Sequence, residues 1–333
     1  MWCSRATWRP STQTIWLVAV LSSVITVVHF LAQSDRPPAP AMGAYKGRLH
    51  LKAMKRIVNH KLPTIYVITA TYKRPEQMAE LTRLGQTLLN VAEIHWFIGD
   101  DSKVTNERVL DLLEFLGIPY TYLLTPMPEK YKVAVDKAKG VTRKKTSLLP
   151  RGVANRMAGL AWVKEHASSG VVYFADDDNT YDIRLFEEMR YSQGVSMWPV
   201  GLMARTGVST PIIKEGKFAG WYDSFISNRK FPVDMAGFAV SVELLRKAGF
   251  AGLDAHLLLV VMPFKVGYEE TGFLESLGIG VEDIEFKADN CSKIYVWHTQ
   301  TVEIVLGKRR SILKSMDGTN LRILLESAGL TGP

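Results

Sequence analysis

At 333 residues, 47% of them hydrophobic, the chain can bury one large core or two smaller ones, which excludes disorder over most of its length. Its formal charge of +8 at pH 7 is spread through the sequence and not gathered in one block. The local basic clusters "GVTRKKTSLLPRG" and "LGKRRSILKS" read as solvated charged faces, and no nucleic-acid partner is expected.

Residues 1–14 read as a cytosolic tail. Ile15 to Ala32, "IWLVAVLSSVITVVHFLA", carries no formal charge. At about 1.5 Å per residue it spans roughly 27 Å, enough for a thin bilayer. Its length, and the lack of a small-x-small site after it, favour a membrane anchor over a cleaved signal peptide. Arg5 and Arg9 precede the span and Arg36 follows it. That balance predicts a single-pass, type II arrangement with the bulk of the chain lumenal. Residues 33–62 begin "QSDRPPAPAMGAYKG", rich in Pro, Ala and Gly, and read as a stem.

Folded structure is expected from Pro63. "TIYVITA" suits a buried strand, and "RPEQMAELTRLGQTLLN" a helix with Pro75 near its start and Met78, Leu81, Leu84 and Leu88 on one face. A strand "IHWFIG" follows, then a helix "TNERVLDLLEFLG" with Thr105 as expected N-cap and Gly117 as stop. "PYTYLL" is a third strand, "RGVANRMAGLAWVKEHA" a third helix and "VVYFA" a fourth strand. Parallel neighbours need crossovers, so this alternation predicts a mainly parallel, helix-covered sheet, a Rossmann-like nucleotide-binding half over 63–179. Ligands of such sheets sit beyond the carboxyl ends of the strands, here "TATYKRP", "GDDSK" and "DDDN".

From Asp182 the pattern loosens into a short helix, a strand-like "VSMWPVGLMA", a Gly-rich stretch to Lys230, "FPVDMAGFAV" and "KIYVWHT". Residues 180–305 therefore read as a mixed-sheet, acceptor-binding half and 306–333 as a separate tail. The two cysteines, Cys3 and Cys291, fall on opposite sides of the expected membrane, so no bond between them is expected. Asn290-Cys291-Ser292 fits the N-glycosylation pattern.

Three carboxylates in a row, Asp176, Asp177 and Asp178, end an apolar strand. Such a cluster can bind a divalent cation, pair with arginine or lysine, or do nothing specific. Oxygen-only ligands select hard ions such as Mg²⁺ or Mn²⁺, which keep positions open for substrate phosphates. Asp100 and Asp101 would add acceptors for a ribose or base. Arg151 and Arg156 stand at a helix start, where N–H groups and guanidinium forks hold anions. A sugar nucleotide meets all of these features, with positive groups neutralising the departing diphosphate and a carboxylate taking the proton of an attacking hydroxyl.

The stretches "VVYFADDDNTYDIRLFEEMR", "GVSMWPVGL", "FPVDMAGFAV", "PRGVANR" and "VWHT" resemble the β-1,3-glucuronyltransferases over residues 63 to about 301. The resemblance implies a GT-A glycosyltransferase fold and an inverting, Mn²⁺-dependent transfer from UDP-glucuronate to a galactose-terminated glycan. It also implies a Golgi membrane location and a homodimer. By position, Tyr72 and Asp101 match uracil contacts, Arg151, Arg156, Asp176 and Asp177 nucleotide contacts, and His298 a diphosphate contact. Asp178 matches the metal ligand. Glu270 in "VGYEETGFL" matches the general base, with Glu275 as rival and Lys265 as a possible phosphate contact. Arg229 and Asp234 match acceptor contacts. The chain departs from the family pattern at Ala70, where proline is usual, and at Ser209, which stands in place of an acceptor-binding glutamate. Gln300 replaces an arginine near the diphosphate. Gln300 and the altered acceptor loop motivate one other expectation, a weakened family member that serves as a UDP- or glycan-binding partner; within the same chemistry, the donor could instead be another UDP-sugar such as UDP-xylose.

Overall fold

A computed structural model describes residues 61–129, 131, 149–250, 262–302 and 319–327, all within the unit Lys52–Pro333. The expected tail, anchor and most of the stem lie outside the described residues, as do both basic clusters apart from residues 149–152 and most of the C-terminal tail. Among the described residues no helix is long and apolar enough to cross a membrane.

The first half alternates as its periodicity predicts. Strand β1 (Ile65–Thr71) leads to helix α1 (Gln77–Leu88), β2 (Ile94–Asp100), α2 (Glu107–Leu116), β3 (Tyr120–Leu124), α3 (Val153–His166) and β4 (Val171–Phe174). Helix α2 is capped by Asn106 and not by Thr105: the Asn106 side chain accepts from the Arg108 N–H, leaving Thr105 one residue too early. Gly117 ends it in the left-handed conformation, at φ +64°.

The second half supplies β5 (Thr180–Tyr181), α4 (Arg184–Met189), β6 (Val195–Met197), β7 (Val200–Met203), β8 (Gly207–Lys214), β9 (Lys217–Tyr222) and β10 (Phe238–Ser241). It continues with α5 (Val242–Leu245), α6 (Glu269–Ser276), β11 (Ile284–Phe286) and β12 (Val296–Trp297). One seven-stranded sheet runs β11-β6-β10-β4-β1-β2-β3, with β4, β1, β2 and β3 parallel and β10 antiparallel to both neighbours. A five-stranded sheet runs β5-β12-β7-β8-β9. The stretch "VSMWPVGLMA" is thus two strands in two sheets, parted at Trp198-Pro199, where proline has no N–H to continue a ladder.

Ile65, Val67, Trp96 and Ile98 pack with Leu81, Leu84 and Leu88 on one face of the large sheet. Ile68, Phe97 and Phe174 pack with Val153, Leu160 and Phe273 on the other. Both faces are covered, which is why these strands are apolar throughout instead of alternating. At the amino ends of β1 and β2, the fully buried Arg190 donates to the carbonyls of Pro63 (3.0 Å) and Ala92 (2.9 Å). Arg190→Met leaves those carbonyls without a donor and is expected to cost about 2–4 kcal/mol, read as a lower urea midpoint.

Candidate active site

The carboxyl ends of β1, β2 and β4 open onto a cleft of about 400 Å³ lined by Tyr72, Asp101, Arg151, Arg156 and Asp176 to Asp178. The sheet topology brings these seven residues together from four separate segments. Asp100, one residue earlier, faces the core: it is fully buried and accepts from the Tyr122 hydroxyl at 2.7 Å. Asp101 lines the cleft and accepts from the Met127 N–H at 2.7 Å, which ties the loop after β3 to the end of β2.

The triplet is divided in its partners. Asp176 pairs with the buried Arg156. Asp177 is gripped by both terminal nitrogens of Arg74, at 2.9 and 2.7 Å, and by the Thr71 hydroxyl at 2.7 Å. A two-pronged guanidinium contact fixes direction as well as charge. Among the described residues Asp178 has no such cation. Its position is set through the backbone, where its carbonyl accepts from Arg83 (2.6 Å) and from Thr299. Burial first, and then Asp176 and Asp177, push its proton affinity up to about 6. A carboxylate held uncomfortable in this way, at the rim of an anion-lined cleft, is the one member of the triplet still in need of a positive partner.

Gly152 caps α3 at φ +76°, a conformation glycine adopts without strain. A Cβ there would lie 2.6 Å from an Arg156 nitrogen, so the glycine also makes room for the arginine that holds Asp176. Tyr72 is 40% exposed, with the guanidinium groups of Arg74 and Arg151 4.6 and 5.3 Å from its ring centre. Arg74 and Thr71 are site residues that sequence reading passed over; the signal was an arginine two residues after Tyr72, in the loop that must face the triplet.

A second cluster forms in the other half. Glu270, in the first turn of α6, accepts from Arg229 at 3.1 Å, and their side chains are 18% and 5% exposed. Burial dominates and pushes the Glu270 carboxyl up to about 7; Arg229 opposes this, and Asp234 and Glu269 add to it. Arg229 also donates to the carbonyls of Val233 (2.8 Å) and Phe225 (3.2 Å), so its visible bonds are to the protein. Asp234 caps the turn Met235–Gly237 through the Ala236 N–H at 3.0 Å and lies 3.6 Å from His298 Nδ1. That separation is an ion-pair distance and not a hydrogen bond, and His298 Nδ1 is buried with no hydrogen-bond partner among the described residues. The charges of Glu270 and Glu269 reach Arg156, so the two clusters share one electrostatic field. Phe225 (42% exposed) and Tyr268 meet edge to face at 6.0 Å beside Glu270, an aromatic surface suited to the apolar face of a sugar.

Of the remaining expected residues, Glu275 lies further along α6, Lys265 sits 3.5 Å over the Tyr268 ring, and Gln300 is exposed after β12. Ser209 is buried in β8, and its hydroxyl has no hydrogen-bond partner among the described residues. Asn290 is exposed, within a left-handed turn in which Ala288, Asp289, Asn290 and Cys291 all have φ between 53° and 59°. Cys291 is a half-buried free thiol, pushed up to about 12 by burial.

A doubly covered α/β sheet with an acidic, arginine-lined cleft at its strand ends places that cleft where open sheets of this kind bind their ligands. The sequence model of glycosyltransferase family 43 matches residues 84–302, and the chain belongs to that family. Galactosylgalactosylxylosylprotein 3-beta-glucuronosyltransferase P of Drosophila melanogaster is 53% identical over 240 residues, covering 72% of this chain and 46% of its own. The corresponding S enzyme of the same fly is 44% identical over 274 residues, covering 82% of this chain and 62% of its own. The enzyme numbered 2 from Rattus norvegicus is 40% identical over 271 residues, covering 79% and 76%. The aligned stretch spans about half to three fifths of the length of the two fly proteins. Among solved structures, an inositol-1-phosphate CTP transferase from T. maritima gives a TM-score of 0.41 at 7% identity, covering 77% of this chain and 98% of its own.

Proposed function

We propose that the chain is an inverting glucuronosyltransferase of GT-A fold that moves glucuronic acid from UDP-glucuronate to the 3-hydroxyl of a terminal galactose. The observation that carries this reading is the pairing of an acidic cleft with a separate, partly buried carboxyl, Glu270, whose proton affinity is pushed up to about 7. A base that must take a proton from a hydroxyl at neutral pH works best with its own affinity near the ambient pH. The names of the relatives, 3-beta-glucuronosyltransferases with a galactosylgalactosylxylosylprotein acceptor, support the donor and acceptor classes.

The residues fit a hard dication shared with the diphosphate. Among the described residues, no three His, Cys, Asp or Glu side chains form a group able to hold a metal by themselves. Asp178 is therefore the protein ligand in this reading, with phosphate oxygens and water filling the other positions, the manner usual for Mg²⁺ and Mn²⁺. Bound there, Mn²⁺ would supply positive charge to the departing UDP. Tyr72 and Asp101 would hold the base, Arg151 and Arg156 the phosphates together with His298, and Asp176 and Asp177 the rim around the nucleotide. Arg229 and Asp234 would orient the galactose toward Glu270. Residues 15–32 would anchor the chain in the Golgi membrane with this site lumenal, as a homodimer, and with Asn290 open to glycosylation.

Release of UDP measured with a panel of UDP-sugars, Mn²⁺ and a β-galactoside tests the donor assignment. UDP-glucuronate is expected to support turnover at least about tenfold faster than UDP-xylose or UDP-glucose. Equal rates across the panel, or none with UDP-glucuronate, would refute it.

A further inference from the structure

Asp223 follows strand β9 and is buried, yet no role described so far uses it. It lies one rung beyond the paired Thr210 and Tyr222 of the β8–β9 ladder. Strand alternation puts positions 209 and 223 on the opposite face from that pair, and both are buried. Position 209 carries a serine hydroxyl, so Asp223 supplies the carboxylate of this inward rung. One of its oxygens accepts from the Phe225 N–H at 2.7 Å and lies 3.7 Å from Arg229 Nη1. The other terminal nitrogen of Arg229, Nη2, reaches Glu270 at 3.1 Å. One guanidinium, on a side chain 5% exposed, therefore stands between the buried carboxylate of Asp223 and the partly buried one of Glu270, each on its own nitrogen.

We propose that Asp223 is a positioning residue for Glu270: it holds the far side of the Arg229 guanidinium, and so fixes the direction and strength with which that guanidinium bears on the reacting carboxylate. The physical reason is that one positive charge is divided between two negative ones. An Arg229 serving Glu270 alone would hold it firmly ionised and make it a weak base. Shared with Asp223, the guanidinium orients Glu270 while neutralising it only in part. The other charged groups bearing on Glu270 are Glu269 beside it in α6, Asp234 with its neighbour His298, and Arg156 of α3. None of these spans the two carboxylates. The role rests on Glu270 being the base, but the contact network and its test do not need turnover.

The test is a titration of the Glu270 carboxyl by carbon-13 magnetic resonance in the full chain, with the signal assigned by its loss in E270Q. In wild type the midpoint is expected near 7. D223N keeps an oxygen for the Phe225 N–H but loses the charge, and is expected to lower the midpoint by roughly one unit. D223E keeps the charge and is expected to stay near wild type. In an R229Q background, D223N should shift the midpoint much less, because the shared guanidinium is gone. A D223N midpoint unchanged or raised, a fall in D223E, or an equal shift in both backgrounds would overturn the proposal. If no UDP-sugar is turned over, the proposed function fails while this titration still decides the role of Asp223.

Discussion

Replacing Glu270 by glutamine is expected to lower kcat by about 10³-fold while leaving UDP affinity within about twofold of wild type. The amide fits the same space beside Arg229 but cannot take up the proton of an attacking hydroxyl. Because Glu270 does not line the cleft around Asp176 to Asp178, donor binding should hardly change. The wild-type pH profile follows from the same group. In the proposed role Glu270 acts as its carboxylate, and burial has raised its affinity from the ordinary carboxylate range to about 7. The fraction able to act therefore grows as pH rises through 7 and levels off above it. Between pH 7 and 6, before the protonation of Asp178 adds its own effect, kcat/KM is expected to fall about tenfold per pH unit. The glutamine variant should lose this acid limb, and a residual rate that keeps the wild-type limb would show that another group is the base.

Asp178→Ala is expected to weaken UDP binding about 10²-fold when Mn²⁺ is present and to change it little when the ion is withheld. The reasoning is one of supply: Arg74 and Arg156 already satisfy Asp177 and Asp176, so removal of Asp178 takes away the carboxylate that lacks a cation. Its affinity of about 6 sets the pH window. A dication must displace the proton, so Mn²⁺-dependent binding should hold above pH 6 and fall about tenfold per unit below it. Isothermal titration with and without Mn²⁺ reads both effects. Equal Mn²⁺ dependence in the alanine variant and wild type would assign the ion elsewhere.

Much of the fold was legible because its cause is local. The apolar runs at β1, β2 and β4 and the helical spacing in α1 and α2 reflect a sheet buried on both faces, and the polar residues after each strand mark the cleft edge. The β8–β9 hairpin was not legible: its two-residue turn, Glu215-Gly216 with φ of 52° and 73°, lacks the asparagine or aspartate that usually signals such turns, and its strands only half alternate. The acidic triplet announced a site but not its division of labour. Asp177 finds Arg74 across 103 positions and Asp176 finds Arg156 across 20, and such pairing belongs to the topology and not to any window of sequence. The same holds for Arg229, which by position matches an acceptor contact and folds into a contact between Asp223 and Glu270 that no window of sequence announces.

The configuration of the product tests the central claim most directly. After incubation of the chain with UDP-glucuronate, Mn²⁺ and a β-linked galactoside, proton magnetic resonance should show a β-anomeric glucuronate joined to the galactose 3-hydroxyl, formed about 10³-fold more slowly by E270Q. An α-linked product, or undiminished transfer by E270Q, would contradict a single displacement driven by Glu270 against a departing UDP.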